Sequence, residues 1–203
     1  MNDVVHNWKV FGLEDSVRAS KYPMAVDFMA VPYGITDTVR KLANSEKGSG
    51  HDQFLTGIIV QFDLTFSIKA WVEAERYHFL DFVSSQSTMH RITRLDPVMQ
   101  CNEYVEPAII VWLKWLVRDY NANPTPENYL RVLYNIPTGF RLTARMTTNY
   151  RQLKTIYSQR KNHRLPEWRE FCKWVEGLPH SEFITGGDNN VREQQSDPAS
   201  AGS

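Results

Sequence analysis

The sequence predicts a globular chain of mixed β-strands and α-helices, and three observations carry that expectation. Residues 58–67 alternate Val60, Phe62, Leu64 and Phe66 among β-branched and aromatic neighbours, which reads as a strand with one buried face. Later stretches repeat apolar residues every three or four positions, the period of a helix face. With 42% hydrophobic and 12% aromatic content, 203 residues can fill one sizeable core, two at most.

Taken in order, residues 8–12 are strand-like and residues 13–20 helical, with Glu14 and Asp15 placed well for the first turn. Pro23 breaks that helix. Residues 36–47 form a polar helix candidate, and the Gly48-Ser49-Gly50 loop then delivers His51 to the main strand. After the strand, Ile68, Trp71, Val72, Glu75, Phe79 and Phe82 fall on one helix face that carries an acid, and a buried-face carboxylate at Glu75 requires a partner. Residues 103–120 predict a long core helix through Val105, Ile109, Trp112, Leu113 and Leu116. Thr125 and Pro126 read as N-cap and first position of a helix ending near Tyr134. Residues 140–147 alternate weakly. From Thr148 or Asn149 the pattern turns helical, with Asn149, Leu153, Ile156 and Arg160 on one stripe. Residues 166–177 form a last helix through Trp168, Phe171, Cys172, Trp174 and Val175. One folded domain is expected over residues 1–185, with a polar, disordered tail over 186–203.

Composition excludes several classes. Lysine plus arginine and aspartate plus glutamate balance at 23 each, so no overall field draws the chain to nucleic acid or membrane, and an anion site must be local. The basic residues around Lys161 read as a solvated helix end rather than a nucleic-acid patch. The longest apolar run, residues 108–117, contains Lys114 and is too short to span a bilayer, so no membrane partner is expected. The two cysteines, Cys101 and Cys172, are widely spaced and fit a reduced, cytoplasmic setting. No glycine-rich phosphate loop, nucleophile elbow or zinc pattern is present, and no metal site is expected.

Chemistry concentrates in residues 75–91, where Ser84, Ser85 and Ser87 precede His90 and Arg91, with Arg94 close behind. Hydroxyls, backbone N–H groups and cations in one turn suit an anion such as phosphate; the plainer reading is a connection with a structural His78. Arg160 likewise has two readings, a side chain that snorkels to water or one that turns inward to hold an anion.

Gly50-His51 leads to Tyr77-His78-Phe79, seven residues, then Ser87; Ile136-Pro137 leads to Thr147-Thr148-Asn149-Tyr150-Arg151-Gln152-Leu153; and Arg160 is followed by Pro166-Glu167-Trp168. In order and spacing these stretches resemble the motifs of the flavin-dependent thymidylate synthase family, in a divergent, phage-like form. The resemblance implies an α+β fold with an antiparallel sheet flanked by helices and a homotetramer with sites between subunits. It also implies FAD as cofactor, with NADPH and methylenetetrahydrofolate as co-substrates and dUMP as the nucleotide. It puts His51, Gln53, Tyr77, His78, Phe79, Asn149 and Arg151 near the flavin, and Ser85, Ser87, His90, Arg91 and Arg131 near dUMP. Arg160 falls where the family has the arginine that binds the uracil ring and activates it. The chain also departs from the pattern. Tyr77 and Phe79 replace cations, Ala74 replaces a glutamine, and Met89 and Leu133 stand where phosphate-binding arginines belong, with His90, Arg91 and Arg131 close enough to substitute. The implied activity is one-carbon transfer, methyl or hydroxymethyl, to C5 of dUMP. The alternatives are a protein that binds a nucleotide or partner without redox catalysis, and an enzyme for another pyrimidine nucleotide.

Overall fold

The structure, a computed structural model, describes residues 4–46 and 48–186. It is α+β, with strands β1 (Val5–Phe11), β2 (Ile59–Ser67), β3 (Asp81–Ser85) and β4 (Arg141–Asn149) in one antiparallel sheet of order β1-β2-β4-β3. The helices are α1 (Leu13–Ala19), α2 (Asp37–Ala43), α3 (Ile68–Ala74), α4 (Thr88–Arg91), α5 (Pro97–Gln100), α6 (Pro107–Ala122), α7 (Pro126–Tyr134), α8 (Tyr150–Arg160) and α9 (Pro166–Glu176). The chain divides into two compact units, one from the residues up to Asn7 and Phe62–Met146, the other from Trp8–Gln61 and the residues from Thr147 onward. Apart from Gly186, the polar tail lies outside the described residues.

The central pair is β2 with β4. Ile68 N–H donates to Phe140 O (2.9 Å), Thr65 and Thr143 share a hydroxyl bond (2.8 Å), and Tyr150 N–H donates to Ile58 O (3.0 Å). Positions rise along one strand as they fall along the other, so the pair is antiparallel. Val60, Phe62, Leu64 and Phe66 are all fully buried, as their alternation demands. Asp63 on β2 and Arg145 on β4 form a cross-strand ion pair at 3.1 Å, and Arg145 also donates to Asn7 O (2.6 Å). Asn7 itself has φ 47°, a left-handed conformation asparagine tolerates.

In the first unit, α6 packs on α7 over a core of Ile92, Cys101, Leu113, Leu116, Val132 and Phe140. Only part of the expected α6 stripe is inside. Leu113 and Leu116 are buried with Ile110, Val117 and Tyr120 beside them, while Ile109 and Trp112 stay 42% and 49% exposed. The helix carries two overlapping apolar faces, and the one with the indoles is left outward, where Trp112 and Trp115 stack at 4.8 Å. A second correction concerns α3, which stops at Ala74 instead of continuing through Phe79 and Phe82. Tyr77 and Leu80 turn inward as anchors, and Phe82 and Val83 enter β3, whose extension pairs Gln86 N–H with Thr143 O (2.9 Å). Sheet pairing overrides a spacing that also fits a helix.

In the second unit, α8 packs on α9 and on a short 3-10 turn at Gln53–Gly57, with Trp168, Phe171, Leu153, Ile156 and Phe183 fully buried. That turn stands between His51 and β2, so the glycine loop does not pass His51 directly into the strand.

Caps fix the helix starts. Thr125 Oγ1 accepts from Asn128 N–H (3.2 Å) at the head of α7, and Asn149 Oδ1 accepts from Gln152 N–H (2.9 Å) at the head of α8. Thr125→Ala should lower stability by about 1 kcal/mol and the melting midpoint by roughly 2–4 °C. A calorimetric midpoint equal to the parent value would show that the cap contributes nothing.

Candidate functional site

Gln53, Arg151 and two residues without an assigned role come together in the second unit. Arg151 Nη1 donates to Gln53 Oε1 (2.7 Å), and Arg151 Nε stands 3.2 Å from Asp52 Oδ1. Lys154 Nζ reaches Asp52 Oδ2 (3.3 Å) and the carbonyl of Ala43 (2.6 Å). Asp52 is buried, so its charge needs these cations. Its Oδ1 is within ion-pair distance of Arg151 but accepts no properly directed hydrogen bond among the described residues. A buried acceptor in that state suits a hydroxyl or amine of a ligand, of which the ribityl chain and rings of FAD offer several. Asn149 is engaged as the α8 cap, and His51 is exposed on the preceding loop.

Arg160 ends α8 and turns inward. It is 5% exposed, its guanidinium lies over the Trp168 ring at 4.8 Å, and Nη1 is 2.8 Å from His163 Nε2. The snorkelling reading therefore fails. Because arginine has only donors, His163 Nε2 must be the acceptor in that bond. The neighbouring thiol of Cys172 is pushed up to about 12 by burial, with Glu176 adding to the shift and Arg160 and Lys161 opposing it. Burial also raises Cys101, against Arg141, so neither cysteine supplies a thiolate near neutral pH.

The first unit holds Tyr77, His78, Phe79, Ser85, Ser87, His90, Arg91 and Arg131. Tyr77 is buried; His78 and Phe79 are exposed, Phe79 by 62%. Ser84 and Ser85 lie in β3 rather than in a turn, and Ser87 precedes α4 without capping it through its side chain. His90 and Arg91 are exposed. Arg131 is engaged elsewhere, donating to Asp119 Oδ2 (3.0 Å) and Asn128 Oδ1 (3.1 Å) and lying over the Trp115 ring at 5.6 Å. The reason is helical phase. Tyr129, two residues earlier on α7, points its hydroxyl to Met89 O (2.6 Å), and residues two apart face different ways. A cleft of about 230 Å³ opens between α3 and strands β3 and β4. Trp71, Val72, Phe82 and Leu142 are among its walls, and Glu75, Ser85 and Gln86 are its polar groups beside Thr143.

Solved structures share this arrangement of elements. The crystal structure of flavin-dependent thymidylate synthase from Helicobacter pylori complexed with FAD and dUMP matches with a TM-score of 0.68 at 15% identity, over 90% of this chain and 98% of that one. A second structure of the enzyme from Helicobacter pylori with FAD and dUMP matches with a TM-score of 0.66 at 13% identity, over 92% and 98%. The chain has the fold of the flavin-dependent thymidylate synthases. No protein-family model matches the sequence, and no curated protein does either.

Within that synthase fold, sequence reasoning passed over Asp52, Lys154 and Gln86. Arg151 and Lys154 are three apart on α8, hence on one face, and that pairing is the local signal; the burial of Asp52 against them is not readable from spacing. Gln86 gave no such signal. No helix among the described residues is long and apolar enough to cross a membrane.

Cys172 and Tyr150 make alkaline stability a check on this packing. Tyr150 is raised mainly by burial and further by Glu182, and its hydroxyl donates to Pro179 O. A folded-state pKa above the ordinary value means that the folded chain holds its proton more tightly, so this stability is complete below the ordinary thiol value of 9.0 and is lost as pH rises toward about 12. The urea midpoint should fall across that window, and a flat midpoint would show that neither group is desolvated.

Proposed function

We propose that the protein is a flavin-dependent one-carbon transferase that moves a methyl or hydroxymethyl group from methylenetetrahydrofolate to C5 of dUMP, with NADPH as reductant. The observation that carries this reading is a fold match covering nine-tenths of the chain to structures holding both FAD and dUMP. In the second unit, His51, Gln53 and Arg151 would hold the flavin, with Asn149 keeping the head of α8 in place. In the first unit, His78 and the exposed Phe79 ring are assigned to the flavin. Ser85, Ser87, His90 and Arg91 would hold the nucleotide, with Arg131 recruited from its pair with Asp119. Arg160 is assigned to the pyrimidine ring, where a planar guanidinium can hold a deprotonated ring edge in two parallel bonds. Bound flavin supplies hydride and relays the one-carbon unit, so the protein's task is positioning and electrostatics, with no cysteine nucleophile. The setting of this reading is the cytoplasm of a bacterial or phage-infected cell.

The reading includes a homotetramer with sites between subunits, supported by the outward Trp112 and Trp115 pair. Gel filtration with light scattering after reconstitution with excess FAD tests both parts. Flavin absorbance should travel with the protein at the mass of four chains; a colourless monomer would favour a nucleotide-binding protein without redox chemistry.

Arg160→Lys should keep flavin binding and cut turnover of dUMP by roughly a hundredfold, the scale of losing one preorganised charge-stabilising donor. If Arg160 only props Trp168 and His163, lysine should lower the melting midpoint and leave kcat and nucleotide affinity at parent values.

A further inference from the structure

Glu75 is a carboxylate without a partner. It closes α3 and lines the cleft, yet no cation or hydrogen-bond donor among the described residues engages its side chain, whereas Glu73 on the same helix pairs with Lys69 at 3.5 Å. Gln86 supplies the complementary group. Its N–H donates to Thr143 O (2.9 Å) and its Oε1 accepts from Thr143 N–H (2.8 Å). That second bond fixes which end of the amide is oxygen, and the Nε2 hydrogens have no acceptor among the described residues. An aromatic platform completes the site. Phe82 is half-exposed and backed by Trp71 at 5.0 Å, and the Trp71 indole N–H is held by Leu142 O (3.1 Å).

We propose that this cleft binds a planar heterocycle with an exocyclic amino group beside a ring nitrogen and a ring carbonyl on the same ring, the chemistry shared by cytosine, guanine and pterins. A carboxylate only accepts, and an amide nitrogen only donates, so the ligand must bring a donor to Glu75 and an acceptor to Gln86, and an exocyclic amine near a ring carbonyl or bare ring nitrogen supplies both. A uracil ring is the weaker fit, because its single N–H lies between two carbonyl oxygens that face a carboxylate with like partial charge. The uracil of dUMP is therefore placed outside the cleft, although Ser85, assigned to dUMP, is on its wall. The volume, about 230 Å³, suits one ring system, being below the roughly 300 Å³ at which pockets for drug-sized ligands begin. Stacking on Phe82 adds affinity without choosing among rings. The site needs no flavin, so failure of FAD binding leaves this inference standing.

Calorimetric titration of the whole protein with phosphate-free probes tests it, because nucleosides keep any phosphate site out of the comparison. Deoxycytidine, deoxyguanosine and folic acid carry the amino edge; deoxyuridine and deoxyinosine are the first two without it. At least one amino-bearing probe should bind about tenfold or more tightly than its partner lacking the amine, folic acid being compared with its own binding to Glu75→Gln, the scale of a charged hydrogen bond. The strongest probe identifies the source. Glu75→Gln should erase that margin, and Phe82→Ala should weaken every probe that binds; Glu75 and Phe82 are both exposed, so the melting midpoint should stay near the parent value. Absence of binding by all three amino-bearing probes, or an unchanged margin in Glu75→Gln, would overturn the proposal.

Discussion

The antiparallel register of β2 against β4 is the constraint on which the rest depends. A slip of one residue would turn Val60, Phe62, Leu64 and Phe66 from the buried face to the other, exposing a row that is now fully covered. The same register decides where two helices begin. Ile68, the first residue of α3, bonds to Phe140 O, and Tyr150, the first of α8, bonds to Ile58 O. Since α3 ends at the cleft and α8 carries Arg151, Lys154 and Arg160, a strand slip would displace the chemistry of both units.

Buried charge is the second constraint. Asp52 and Arg160 are both almost fully covered in a chain whose net charge is zero, so neither gains from a surrounding field. Each is compensated locally, Asp52 by Arg151 and Lys154, Arg160 by the Trp168 face and His163. The partners of Asp52 are themselves 37% and 26% exposed, so removing either should cost less than the roughly 3–5 kcal/mol of breaking a fully buried pair. These residues thus serve stability before any ligand arrives, and a ligand at Arg151 or Arg160 would inherit side chains already held in place.

Legibility in the sequence followed the kind of signal. Strand β2, the Thr125 cap and the last helix were readable because alternation, capping side chains and proline at the first turn act over a few residues. The boundary between α3 and β3 was not. Residues 68–82 satisfy a helical spacing, and only pairing with β4, whose Thr143 is 57 residues on from Gln86, converts Phe82 and Val83 to strand. The site divided in the same way. Arg151 and Gln53 are joined by a hydrogen bond, but the direction of Arg131 depends on Asp119, and the burial of Asp52 on helices that no local pattern connects to it.

If the chain binds a nucleotide phosphate as proposed, Met89 and Leu133 supply no cation where the resemblance implies arginines, and recognition would fall to what remains near Ser87. His90, Arg91 and Arg94 are exposed there, and Tyr129 ties α7 to the same segment through Met89 O. Arg131 is the further candidate, at present bound to Asp119 with 41% and 35% of the two side chains exposed. An ion pair that open is worth about 0–1 kcal/mol, whereas a charged hydrogen bond to a phosphate is worth about 1.5–3 kcal/mol. Turning Arg131 from Asp119 and Asn128 to a phosphate would then come close to balance, the Asn128 hydrogen bond being worth a further amount of about 0.5–1.5 kcal/mol, provided that its Trp115 stacking survives or is replaced. A second helix face of α7 would then serve the nucleotide, and the motif's missing charges would be met by a residue that the unliganded fold keeps in reserve.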